Sequence, residues 1–264
     1  MNKAVAADWE TVERNFNNTL HSIFNQTNDN FLVFVGYTDM PKLYENFDER
    51  LIMIPCNTHT PVERIEKLRD RGWKLTACSH EIYKRYEDIS FSEGGVFVFP
   101  VDADDLVNRN IVEYVCSHSY ANGFKSTKGY RHVQGRNYLE ITPYYGGTMN
   151  VMKLYKNELN AEMPDVSLCF DFETAGKLQK CPIRWTDHEV EGMFFNLGRP
   201  FIHFPFKSTI YVLETGNNVS DSDPNNKVIN DKSFHPVAFL RRISPFNKSL
   251  ITAKVKRDFG IKES

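Results

Sequence analysis

The sequence predicts an α/β domain in which a mostly parallel sheet is flanked by helices, followed by a half of α+β character. Three observations carry that expectation. Short apolar runs rich in β-branched residues recur at FLVFVG (31–36), RLIMIP (50–55) and GGVFVFP (94–100), each compact enough for a buried strand. Between them lie stretches with helical spacing of apolar residues, the alternation expected when strands are joined through helices. The chain has 264 residues, 41% hydrophobic and 25% charged, which suits one packed core and not a disordered segment.

Taken in order, Val12, Phe16, Leu20, Ile23 and Phe24 line one face of a helix starting at Trp9, with Asp8 placed to cap it. The segment TPVERIEKLRDRG predicts a second helix, with Thr60 as N-cap, Pro61 as first helical residue, Glu63 as reciprocal capping partner and Gly72 as the stop. A third is expected through Ile111, Val112 and Val115, ended by Gly123. Beyond it, YRHVQGRNYLEIT (130–142) alternates like a hairpin around Gln134 and Gly135, and YYGGTMNV supplies a bend. Residues 214–236 are polar, rich in turn formers and longer than an ordinary connection, so they read as a lid or an unstructured loop. No internal repeat or linker divides the chain.

Thirty-two lysines and arginines stand against 34 aspartates and glutamates, a net charge of -2 that gives no global attraction to nucleic acid. Nucleic acid is therefore not an expected partner. No apolar run reaches bilayer length and the start lacks the apolar core of a signal peptide, so a soluble cytoplasmic protein is expected. The last 24 residues hold seven basic residues against Asp258 and Glu263. This basic extension (241–264) reads either as an ordinary exposed terminus or as a contact for the inner face of a membrane, a polyanion or a partner subunit. Five cysteines are scattered without a CxxC pair, which encodes neither a disulfide framework nor a zinc site and leaves buried thiols as the expectation.

The sharpest chemical signal is Asp102, Ala103, Asp104 and Asp105, directly after the third predicted strand, at the sheet edge where open α/β folds bind ligands. Asp102 and Asp104, separated by one small residue, can direct oxygens to a single hard cation such as Mg²⁺ or Mn²⁺ that keeps positions for diphosphate oxygens. The same residues also suit a turn or a helix cap. No glycine-rich phosphate loop is present, which disfavours a nucleotidyltransferase, and DADDLV lacks the near-N-terminal nucleophile setting of an HAD-type phosphatase.

The stretch ERNFNNTLHSIFNQTNDNFLVFVGY (13–37), above all TLHSIFNQT, followed at a similar distance by FPVDADD, resembles GT-A glycosyltransferases of the family 2 type. The closest likeness is to bacterial rhamnosyltransferase-like proteins, over residues 9–105 and more faintly 185–220. The first strand and nucleotide-contacting loop usual in that family are not evident before Trp9. The resemblance implies a GT-A-like, Rossmann-like domain over 1–240, with a nucleotide-sugar half at about 9–123 and an acceptor half at about 124–240. It implies a metal-dependent, inverting transfer of a sugar from a nucleotide-sugar donor to a hydroxyl of a glycan or glycolipid, in surface glycan synthesis. A non-catalytic glycan-binding or assembly module built on such a domain is the alternative.

On that resemblance, Asp102 and Asp104 hold Mn²⁺ or Mg²⁺ with Asp105 behind them, and one late histidine joins the metal. His235 in KSFHP is the candidate, whereas His203 in FIHFPF reads as a hydrogen-bonded core residue. Asp187 in WTDHE is the candidate general base and Glu189 the second, although Thr186 and Glu189 also fit a capping box. His188 reads as orienting those acids or facing solvent. Donor contacts fall on Asp39, Lys67, Arg71 and Asp102. The other reading of Asp39 is a turn residue, and of Lys67 and Arg71 a solvated helix face. Tyr144, Tyr145, Gly146 and Gly147 suit either a sugar acceptor or a bend in the core.

Overall fold

The computed structural model describes residue 3 and residues 6–56, 64–92, 94–133, 136–142, 150–159, 187–213 and 248–262. Helix α1 (Trp9–Phe24) opens where expected: Asp8 accepts from the Glu10 and Thr11 amides, and the helix buries Phe16 and Leu20. Strands β1 (Val33–Tyr37) and β2 (Leu51–Pro55) then pair in parallel, Val33 opposite Leu51.

Helix α2 (Arg64–Lys84) runs 21 residues, straight through Gly72. The expected stop fails because the apolar stripe continues: Trp73 and Ala77 are buried, and tertiary packing of that face outweighs the propensity cost of one glycine, about 1 kcal/mol. The helix lies against β1 closely enough that a Cβ on Gly36 would sit 2.8 Å from the Lys74 Cβ. A glycine is therefore required at that strand position. A one-turn helix α3 (Tyr86–Ile89) and strand β3 (Val96–Val98) follow, then strand β4 (Leu106–Val107) and helix α4 (Ile111–Ser117). Gly123 does not end α4 but begins strand β5 (Gly123–Lys125), where an added Cβ would meet the Phe201 ring at 2.4 Å and the Val151 carbonyl at 2.6 Å.

The expected hairpin is present as β6 (Gly129–Val133) and β7 (Tyr138–Thr142), antiparallel with Tyr130 opposite Ile141. Its turn residues, Gln134 and Gly135, lie outside the described residues. The remaining elements are β8 (Asn150–Leu154), helix α5 (Asp187–Asn196), β9 (Ile202–His203), β10 (Thr209–Leu213), β11 (Lys248–Leu250) and helix α6 (Ala253–Phe259).

The class is mixed α/β, but the sheets are not the mostly parallel one expected. Among the described residues the strands form a pair β1-β2, a sheet β3-β8-β5-β9 and a sheet β11-β7-β6-β10-β4. Only β1-β2, β5-β9 and β6-β10 are parallel. The departure centres on β8, which lies antiparallel between β3 and β5 and is buried at all five positions, Lys153 included. Residues 248–262 are built into the fold: β11 pairs with β7, and Val255 and Phe259 pack with Tyr130, Leu139 and Ile210. No helix among the described residues is long and apolar enough to cross a membrane.

Candidate functional site

A cleft of about 840 Å³ opens between β1 and β3, within the range of small-molecule sites. Its walls include Phe34 of β1, Leu75 and Ile82 of α2, Phe97 of β3 and Ile111 of α4. Among the described residues β1 and β3 each stand at an end of their sheet, no ladder joins them, and residues of both line the cleft. Besides Asp88, the charged side chains on its wall fall into two groups. Asp70, Arg71, Lys74 and Asp102 form one group; Arg50 and Asp29 form the other.

In the first group, the Lys74 ammonium donates to Asp70 at 2.5 Å, one helical turn apart and nearly buried. Arg71 reaches from α2 to the turn four residues beyond β3: its Nε and Nη2 both donate to Asp102 Oδ1, at 3.3 and 3.2 Å. In the second group, Arg50 bridges Asp29 and Asp48 at 2.7 Å each and lies over the Phe24 and Phe31 rings. Its two carboxylate partners hold this guanidinium firmly protonated, and Arg50 in turn keeps the Asp48 carboxyl below its ordinary range.

The four residues from Asp102 to Asp105 make a tight turn, closed by the Asp105 amide donating to the Asp102 carbonyl at 3.1 Å. The turn sends the carboxylates to different places. Asp102 faces the cleft and Arg71, whereas Ala103 is exposed and Asp104 is half-buried just beyond the cleft wall. Asp105 is fully buried and accepts from the Val212 amide of β10 at 3.3 Å, tying the turn to the second sheet. It therefore has a structural duty of its own.

The residues that follow this turn are held by the end of α1. The buried Ser22 hydroxyl accepts from the Val107 amide at 3.1 Å, and Gln26 brackets the next residues, donating to the Asn108 carbonyl and accepting from the Val112 amide. The Thr27 amide donates to the Arg109 carbonyl at 2.9 Å. Thus the TLHSIFNQT stretch is bonded directly to the residues that follow the aspartates. Lys74, Asp70 and Arg50 were not singled out from sequence; the Asp70–Lys74 spacing of four was the available signal.

The other candidates fall differently. Asp39, two residues beyond β1, accepts from the Lys3 amide at 2.6 Å and is not among the cleft-lining residues. Lys67 lies on α2 and Asp187 and Glu189 in the first turn of α5, with side chains outside the described residues. Thr186, Tyr144, Tyr145, Gly146, Gly147 and His235 lie outside them as well. His203 is a correction: it is exposed, because the pleat of β9 sends the next residue, Phe204, into the core instead.

Of the thiols, Cys56, Cys78 and Cys116 are free. Burial pushes Cys78 up to about 12 and raises Cys56 and Cys116, so each stays protonated and none offers a thiolate nucleophile near neutral pH. Among the described residues no three His, Cys, Asp or Glu side chains gather to hold a metal ion. A hard divalent cation can take a single carboxylate and complete its shell with phosphate oxygens and water, and of this turn's carboxylates Asp102 is the one on the cleft lining. Comparison of the chain with protein-family models, with curated proteins and with solved structures gives no match.

Proposed function

We propose that this chain is a metal-dependent, inverting glycosyltransferase with a GT-A-like domain, moving a sugar from a nucleotide donor to a hydroxyl on a glycan or glycolipid. One observation carries the reading: Asp102 lines a cleft that is also lined by residues of β1 and β3, each at an end of its sheet. Set side by side, those strands would give the order β2-β1-β3-β8-β5-β9, in which strand addition reverses between β1 and β3. Open α/β sheets hold their ligands at the carboxyl ends of strands flanking such a reversal. Of the two acids that follow these strands, Asp102 after β3 lines the cleft and Asp39 after β1 does not.

In this reading Asp102 and Asp104 would hold Mn²⁺ or Mg²⁺ for the donor diphosphate, and Arg71 and Lys74 would supply further positive charge. The ion supplies neutralisation of the charge that builds on the departing diphosphate. Asp187, at the first residue of α5, takes the proton from the acceptor hydroxyl as its oxygen attacks the anomeric carbon opposite the leaving group. The positive end of the helix favours the ionised carboxylate that this step requires. Glu189 is the second candidate base, and the cleft's apolar wall excludes water that would otherwise hydrolyse the donor.

Calorimetry with UDP, GDP and dTDP, each with and without Mn²⁺, tests the proposal. Metal-dependent binding of at least one nucleotide is expected, followed by metal-stimulated release of that nucleoside diphosphate from a matching sugar donor. Glycan binding with no nucleotide response at all would favour the binding-module alternative and overturn the enzyme.

A further inference from the structure

We propose that the cleft binds a single hydrocarbon chain with an uncharged, hydroxyl-bearing head, of the kind a monoacylglycerol or a long-chain alcohol carries. The chain lies along β1, and Arg71 and Asp102 hold the head. This goes beyond the transferase reading and requires neither nucleotide nor turnover. Every residue from Asp29 to Gly36 lines the cleft, and so does every residue from Val96 to Ala103. The cleft therefore runs lengthwise along both segments, and its β1 part alone, Val33 to Gly36, spans about 10 Å at the usual strand rise. Its wall draws on two apolar cores at once. Phe34, Leu75 and Val98 pack on the core around Ile82 and Leu154, whereas Phe97, Phe99 and Val101 pack on the core around Val107 and Phe124. All six are only half-buried, so an apolar occupant removes further area of each from water.

The charged groups stand toward the two ends of this apolar length. The Val33 amide donates to the Arg50 carbonyl at 2.8 Å, which puts Arg50 and its partner Asp29 at the start of β1. Gly36 abuts Lys74, which puts the Arg71 group toward the other end. Arg50 is committed where it stands, bridging Asp29 and Asp48 and lying over two phenylalanine rings. Arg71 is held more loosely: both of its bonds go to one oxygen, Asp102 Oδ1, at 3.3 and 3.2 Å, and the two side chains are 46% and 33% exposed. The head belongs at that looser pair. An ionised carboxylate or phosphate head would meet Asp70 and Asp102 as well as the two cations, which offsets its attraction. A hydroxyl accepts from the guanidinium and donates to the carboxylate, so it inserts into the pair without adding charge.

The test is calorimetry of the full chain with monoacylglycerols of increasing chain length, each below its aggregation concentration, with glycerol and laurate as controls. Affinity should rise about threefold per added methylene and then level off once the cleft is filled. Monolaurin should bind at one per chain and more tightly than laurate, glycerol should not bind, and the heat should grow more negative on warming, as apolar burial requires. Val98→Phe narrows the wall and should lower monolaurin affinity tenfold or more. Arg71→Ala changes a part-exposed side chain, so the fold is kept even if Val98→Phe fails to fold. It should weaken monolaurin by about two- to tenfold and leave the dependence on chain length as it was. Absence of monolaurin binding, affinity that climbs without levelling, laurate binding as tightly as monolaurin, or indifference to Arg71→Ala would each overturn the proposal and leave the transferase reading standing. Monolaurin binding as described in a chain that binds no nucleotide would support it and overturn the transferase.

Discussion

The Ser22 hydroxyl, wholly buried, donates to the Thr19 carbonyl and accepts from the Val107 amide, so one side chain joins α1 to the strand that follows the aspartate turn. Both of its hydrogen-bonding roles are filled by backbone groups that water cannot reach. Ser22→Ala strands the Val107 N–H, and a buried unpaired donor costs about 1–3 kcal/mol. Urea unfolding should show that loss with an unchanged slope. A variant as stable as the wild type would mean that α1 does not hold the turn.

Gly36 presents a steric constraint of a different kind, since its backbone is ordinary strand and only space is at issue. A Cβ there would lie 2.8 Å from the Lys74 Cβ and 3.1 Å from the Lys74 carbonyl oxygen, and the helix backbone cannot give way as a side-chain tip would. Gly36→Ala should therefore force α2 off β1 and cost about 1–3 kcal/mol, the range for overpacking. Thermal unfolding would register it. Nucleotide binding should weaken as well, because Arg71 and Lys74 ride on the displaced helix.

How much of this was legible depends on whether the deciding contact is local. Asp8 and the stripe through Phe16 and Leu20 define α1 within one segment, and α1 forms as read. Gly72 fails as a stop because the reason to continue, burial of Trp73 and Ala77, belongs to surfaces that meet only in the fold. Strand β8 was missed for a similar reason: NVMKL carries an asparagine and a lysine at buried positions, so no alternation marks it, and Lys153 is accommodated by the Ser119 carbonyl at 3.0 Å. The site divides the same way. The aspartates were visible as a group, but three identical side chains in four residues carry no label for which one faces the cleft, which is set by the turn and by β10.

That difference separates Asp104 from Asp105. Asp104→Asn alters a half-buried carboxylate without opening a cavity, so stability should change by no more than about 0.5 kcal/mol while transfer is abolished. Asp105→Ala should do the reverse in kind: it removes a buried carboxylate that accepts from the Val212 amide and costs about 1–3 kcal/mol of stability. Parallel melting curves and donor-turnover assays would distinguish them, and full turnover by Asp104→Asn would remove that residue from the metal site.

Asp187 is assigned proton abstraction alone, so its removal should leave donor affinity intact. General-base catalysis contributes about 10²–10⁴-fold, and Asp187→Asn should lower kcat by that order with nucleotide binding unchanged by calorimetry. A collapse of donor binding with kcat preserved would place the residue among the binding groups. The same comparison for Glu189→Gln decides between the two acids.

The last expectation concerns acid. Glu45 accepts from Lys262 just beyond α6, and His21 of α1 stands 3.2 Å away, so this carboxylate pins the C-terminal arm to α1. The Lys262 hydrogen bond first, and then the charge of His21, hold its carboxyl below the ordinary value of 4.5. A carboxyl lowered in the folded state binds its proton more readily when unfolded, so its stabilisation is complete above the ordinary value and is lost as pH falls through the lowered one. The melting temperature of the wild type should therefore exceed that of Glu45→Gln at pH 7, and the gap should narrow steadily below pH 4.5. High salt should narrow it at pH 7 too, because both partners are part-exposed. A gap that stayed constant through the acid range would show that Glu45 acts by shape and not by charge.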